Sequence, residues 1–185
     1  ARSQLIKMSE KSSVAFSGSI DRAVRAFLRT AETCGHKPYI IAWTKNDRIF
    51  RTKYKNHVVG IRKSRTLTIE IFSSCINQIK LASGDKQLVI LPSSEYFNNF
   101  LLKYRTEIEG LNCVIPLPAN QIYFTFTDKE SSTALFLEEG YSVPREYPSA
   151  ISQNVPLVAK PRHNLNANGT VLYPLFLQND KDISN

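Results

Sequence analysis

Long apolar runs are missing from this sequence of 185 residues. No stretch approaches the ~20 consecutive apolar residues that a membrane-spanning helix needs. The opening, Ala1 to Lys11, is polar and holds no apolar core of a secretory signal. Cysteine is scarce. Cys34, Cys75 and Cys113 are far apart and odd in number, which argues against a disulfide framework and against a zinc knuckle. With them, His36 and His57 show no metal-ligand spacing. The expectation is a soluble, cytoplasmic protein with no membrane contact and no metal ligands of its own.

Hydrophobic residues make up 42% and charged residues 22%, near the globular average, so wholesale disorder is excluded. Lys and Arg outnumber Asp and Glu by 24 to 16, a net charge of +8. The excess gathers between Lys45 and Arg65, with Phe50 and Tyr54 among the cations. Such interleaving suggests stacking on bases. No RNP-like or helix-turn-helix pattern accompanies it, however, and charge runs are commonly solvated loops. A groove attracting a phosphorylated or carboxylated small substrate explains the charge equally well. Nucleic acid is not expected as a partner.

Apolar runs and amphipathic stretches alternate through the first 118 residues. Ser13–Phe16 reads as a strand, and Ile20 to Cys34 as a helix with Ile20, Val24, Phe27, Leu28 and Ala31 on one face, stopped at Gly35. Tyr39–Ala42 reads as a strand buried on both faces, and His57–Ile61 as a shorter one. A helix over Leu67 to Leu81 precedes a strand over Gln87–Leu91. Ser93 or Ser94 caps a helix carrying Phe97, Leu101 and Tyr104, and Leu111–Ile115 is the last strand. This order predicts an α/β domain, a doubly wound and mostly parallel sheet covered on both faces. Ser17-Gly18-Ser19 lies between a strand and a helix, where such folds bind ligands. One glycine is far from a dinucleotide fingerprint. The loop therefore reads first as a tight turn and second as a substrate-binding candidate.

From residue 119 the pattern changes to a partial α+β lobe. Thr127-Asp128-Lys129-Glu130 reads as a capping box opening a helix to Glu139, stopped at Gly140. Val155–Pro161 is a strand carrying Lys160, and Val171–Leu177 returns as a second one, with no helix after it. Between them Asn166, Asn168, Gly169 and Thr170 suit turn conformations. A strand-end lysine supplies a point charge for a polyphosphate. A turn-rich loop offers successive backbone N–H groups that cradle its oxygens. Taken singly, Lys129 in a first helical turn is a solvated side chain, and Arg162 and His163 are surface residues.

In order, Thr127-Asp128-Lys129, then Gly140-Tyr141-Ser142-Val143-Pro144-Arg145, then Val155-Pro156-Leu157-Val158-Ala159-Lys160-Pro161 resemble the motif series of carbamoyl-phosphate-synthase-like ATP-grasp ligases. Residues 1–118 look like the Rossmann-like pre-ATP-grasp domain, and 119–185 like the incomplete first lobe of the ATP-grasp domain. The resemblance implies that Lys129 and Lys160 face the phosphates of ATP, with Asn168, Gly169 and Thr170 in the phosphate-covering loop. Asn166 and Asn168 stand where that loop commonly has glycines. It further implies a ligase that makes an acyl phosphate from a small-molecule carboxylate for attack by an amine or thiol. Magnesium is expected on carboxylates beyond this chain; Asp180 and Asp182 are not assigned to it. The expectation is the N-terminal portion of such a ligase, inactive alone.

A second reading is a non-catalytic α/β module that binds a small acidic ligand. It makes Val171 to Phe176 the edge of a homodimer contact.

Overall fold

The computed structural model describes residues 12–64, 66–85, 87–147, 155–166, 168 and 170–183. The chain divides into two compact units, 1–117 and 118–185.

The first unit is a five-stranded parallel sheet in the order β3-β2-β1-β4-β5: β1 Ser12–Phe16, β2 Lys37–Ala42, β3 Val58–Ile61, β4 Leu88–Ile90 and β5 Cys113–Val114. Val14 in the central strand faces Tyr39 on one side and Ile90 on the other. The two-residue period of a strand sends its side chains to alternate faces. Val14 and Phe16 of β1 join Tyr39 and Ile41 of β2 in one cluster, while Ala15 joins Ile40 and Ala42 in another. Every residue from Tyr39 to Ala42 is buried, as an apolar run between two helical layers requires.

Helices α2 (Ile69–Ser83), α3 (Glu95–Lys103) and α4 (Arg105–Gly110) cover the first face. There Phe72 is fully buried, its ring stacked 5.1 Å from Phe16 and tilted 5.6 Å from Phe100. Each such pair adds roughly 0.5–1.5 kcal/mol beyond area burial. Helix α1 (Asp21–Thr33) covers the second face through Val24, Leu28 and Ala31. Ile20 is instead half exposed, outside the predicted apolar stripe. The cationic segment after β2 is two short 3-10 helices, Arg48–Arg51 and Lys53–His57, whose Ile49 and Tyr54 pack against α1's cluster. The chain changes face when α2 carries it from β3, at one edge, across to β4. That places a topological switch point between β1 and β4.

All three cysteines are free, with Cys34 exposed and Cys75 and Cys113 buried. Burial raises both buried thiols, Cys113 to about 11. At pH 8 a disulfide-exchange reagent should titrate one fast thiol per native chain, with the others reacting only on unfolding. Three fast thiols would contradict the burial. Linkage gives a second readout. Below about pH 8.5 the Cys113 thiol is neutral in both states. Above it the unfolded chain ionises first, so stability falls towards pH 11 by on the order of 2–3 kcal/mol from this group.

In the second unit, α5 (Asn120–Thr127) and α6 (Lys129–Glu138) precede an antiparallel pair, β6 (Leu157–Ala159) and β7 (Leu175–Leu177), with Val158 facing Phe176. Three predictions are corrected here. No element was expected over Asn120–Thr127, yet a helix forms. Thr127 therefore closes α5, its hydroxyl donating to Tyr123 O at 3.0 Å, and Asp128 becomes the cap of α6, accepting from Ser131 N at 2.8 Å. A short helix, α7 (Asp180–Ile183), also follows β7, where none was expected. Asp182 opens that turn by accepting from Gln178 N and Asn179 N. The predicted loop over residues 148–154 lies outside the described residues. No helix among the described residues is long and apolar enough to cross a membrane.

Candidate functional site

The carboxyl ends of β1 and β2 carry the loop singled out from sequence. Asp47 holds it in place. Its buried carboxylate accepts from Ser17 Oγ at 2.5 Å, Trp43 N at 2.9 Å and Ile49 N at 2.9 Å. Gly18 has φ +93°, and a Cβ there would lie 2.2 Å from Trp43 Cβ. Of the three candidates, Ser17 thus spends its hydroxyl inside the fold and Gly18 is covered by Trp43. Only Ser19 presents an exposed side chain.

Ser19 opens onto a cavity of about 590 Å³ between the start of α1 and the first 3-10 helix. Four arginines line it: Arg22 and Arg25 from α1, Arg48 and Arg51 from the 3-10 helix. Asp21 is the single carboxylate among the lining residues, 3.5 Å from Arg48 Nη1. Val24 and Ile49 give the cavity buried apolar walls, and Thr52 lines it while its hydroxyl donates to Ile49 O at 2.7 Å. Thr68, Ser94 and Asp128 cap α2, α3 and α6 through their side chains, whereas Ile20 at the cap position of α1 offers no acceptor. The first-turn N–H groups of α1 therefore add to the positive field of the arginines. Chemically, the arrangement suits a multiply charged anion.

The rest of the cationic run divides among other tasks. Lys53 pairs with Glu32 at 2.8 Å, and buried Tyr54 donates its hydroxyl to the same carboxylate at 3.1 Å. Phe50 packs against the α1 cluster. Neither ring is placed as a stacking platform. Arg62, just past β3, is partly buried; burial lowers its pKa, and nearby Cys75, Tyr96 and Asp47 counter that shift. Its Nε and the Oγ of buried Ser93, past β4, have no hydrogen-bond partner among the described residues.

In the second unit, Lys129 Nζ lies 2.9 Å from Asn164 Oδ1 and 3.4 Å from Arg162 O, so the start of α6 meets the segment that follows β6. Arg162 is bound to Asp128 at 2.6 Å and Glu130 at 2.7 Å, with His163 3.6 Å from Asp128. That guanidinium, helped by Ser131 N–H, holds the Asp128 carboxyl far below the usual carboxylate range. Lys160 is exposed just after β6. The backbone N–H groups of Asn168 and Thr170 converge on Asn166 Oδ1 at 3.0 and 2.9 Å. Gly169 lies outside the described residues.

Sequence reasoning missed Arg22 and Arg25. They are one turn apart on α1, and nothing local distinguishes them from a solvated helix face. Compared with known proteins, the chain matches no family model, no curated protein and no solved structure.

Proposed function

We propose that the chain supplies the nucleotide-facing front of an ATP-dependent ligase, one that joins a small-molecule carboxylate to an amine or thiol through an acyl phosphate. One juxtaposition carries the reading. Lys129 reaches the segment after the Lys160 strand, its ammonium 2.9 Å from Asn164, so the two lysine-bearing motifs share one unit in the order that the resemblance requires. The donors fit a polyphosphate. Lys129 and Lys160 offer point charges, and the N–H groups of Asn168 and Thr170 already converge on one oxygen, Asn166 Oδ1. A phosphate oxygen takes that carboxamide's place. ATP supplies the phosphoryl group that activates the carboxylate. No group of three His, Cys, Asp or Glu side chains able to hold a metal ion is found among the described residues, so no residue is assigned to magnesium and no step is routed through it. A cytoplasmic location, where ATP is abundant and thiols stay reduced, accords with this reading.

Calorimetric titration with ATP in magnesium buffer tests it. Lys160→Ala should weaken binding by ~1.5–3 kcal/mol, about 10- to 150-fold. Lys160 is the cleaner site, because Lys129 also tethers α6 to the hairpin. Unchanged affinity in the Lys160 variant, or no ATP binding in the unaltered protein, overturns the assignment.

A further inference from the structure

The arginine-lined cavity plays no part in the ligase reading, which draws on the other unit; it is built wholly from residues between Ser17 and Thr52. We propose that this cavity binds a small phosphate monoester, with Arg22, Arg25, Arg48 and Arg51 as its anion-holding residues.

Charge is the first argument. Four arginines line the cavity beside one carboxylate, and a lone carboxylate ligand leaves most of that charge uncompensated. A phosphate monoester carries about −1.5 to −2 at neutral pH and three acceptor oxygens. Geometry is the second. Arg22 and Arg25 are spaced i, i+3 on an α-helix, and Arg48 and Arg51 are spaced i, i+3 on a 3-10 helix, so each pair shares one face of its element. Two walls thus each offer two guanidiniums, of which Arg25 Nε also donates to Asp21 O at 3.4 Å and Arg48 Nη1 to Asp21 Oδ2 at 3.5 Å; the remaining guanidinium N–H groups suit phosphate oxygens. The uncapped first turn of α1 adds its N–H groups.

Shape separates this ligand from its nearest competitors. A cavity of about 590 Å³ is in the range that encloses a small organic molecule, and Val24 and Ile49 give an apolar surface for the ester's carbon skeleton. Inorganic phosphate uses none of that surface. In a dinucleotide fold the glycine loop leaves its pyrophosphate room at the strand end. Here Trp43 fills that room, 2.2 Å from where a Gly18 Cβ would sit. The site therefore lies past the ends of β1 and β2, against α1, rather than at the β1–β4 switch point, and is built for one phosphate group.

Phenyl phosphate is a suitable probe, titrated at fixed ionic strength against benzoate and inorganic phosphate and read by calorimetry and amide shifts. Saturable binding is expected, with shifts confined to Ser19–Arg25 and Arg48–Thr52, and with phenyl phosphate at least about tenfold tighter than either comparator. Arg48→Gln and Arg51→Gln should each weaken it about tenfold. Arg29→Gln, on the same helix but outside the cavity, should not weaken it. Thermal melts of the variants check that these exposed positions leave the fold intact. The proposal is overturned by benzoate binding as tightly, by equal losses in the Arg29 variant, by shifts elsewhere, or by no saturation at 20 mM probe, a limit set at the weak end of small-ligand affinity.

Discussion

Gly18→Ala should destabilise the first unit by about 2–5 kcal/mol, a large part of what a domain of this size has to lose. Two costs combine. The residue sits at φ +93°, where a Cβ costs roughly 1–2 kcal/mol. The added methyl would also meet Trp43 at Cβ, 2.2 Å, and Cγ, 2.5 Å. These are not the far end of a flexible chain. The Trp43 Cβ is fixed to backbone that Asp47 holds through Trp43 N, so relief means moving the end of β2. Overpacking of that kind adds 1–3 kcal/mol, and occasionally more. Gly35→Ala is the internal control. Its φ is +74°, yet nothing lies within 4 Å of the added carbon, so only the conformational cost of about 1–2 kcal/mol applies. Urea unfolding of both variants separates the terms. A Gly18 variant no less stable than the Gly35 variant would show that the packing against Trp43 carries no weight.

The same loop shows where the sequence could be read and where it could not. Glycine between a strand and a helix is a local signal, and so is Ser94 before α3, which caps it by accepting from Phe97 N at 3.2 Å. The alternation of Val14, Ala15 and Phe16 is local as well, and both faces of the sheet follow from it. What fixes the role of Ser17, however, is Asp47, 30 residues away. No periodicity reports such a pairing. The cavity is hidden in the same way. Arg48 and Arg51 stand in a conspicuous cationic run, but their partners on α1 do not, and only the packing of the 3-10 segment against α1 sets the two pairs face to face. In the second unit the difficulty is one of propensity. Ile122, Phe124 and Phe126 alternate with Tyr123, Thr125 and Thr127, an aromatic and β-branched pattern that favours strands. The chain makes a helix there, and the cap of α6 moves from Thr127 to Asp128 as a direct result.

Hydrogen exchange should then divide the protein sharply. The first unit rests on two clusters of fully buried side chains, Phe72, Ile76 and Ile79 on one face and Leu28 and Ile40 on the other. Amides of β1, β2 and β4 lie inside that packing, and they should exchange only on global opening. The described residues of the second unit form no such interior. Among its described residues only Asp128 is buried, while Phe176 is 69% and Leu175 64% exposed. A two-stranded ladder without a core is marginal in water. The ion pair of Arg162 with Glu130 lies at the surface, where such contacts add little. Amides of α5, α6, β6 and β7 should therefore exchange at least about a thousandfold faster than those of β1, since local openings span from near zero up to the global free energy. Equal protection in both units would overturn this account of where the stability resides. Protein concentration gives a further handle. If a second copy covers Val158, Leu175 and Phe176, protection along β6 and β7 rises with concentration, as mass action demands of any partner that binds the ordered form. Protection that stays low at every concentration removes the homodimer reading and leaves the apolar strand faces in water.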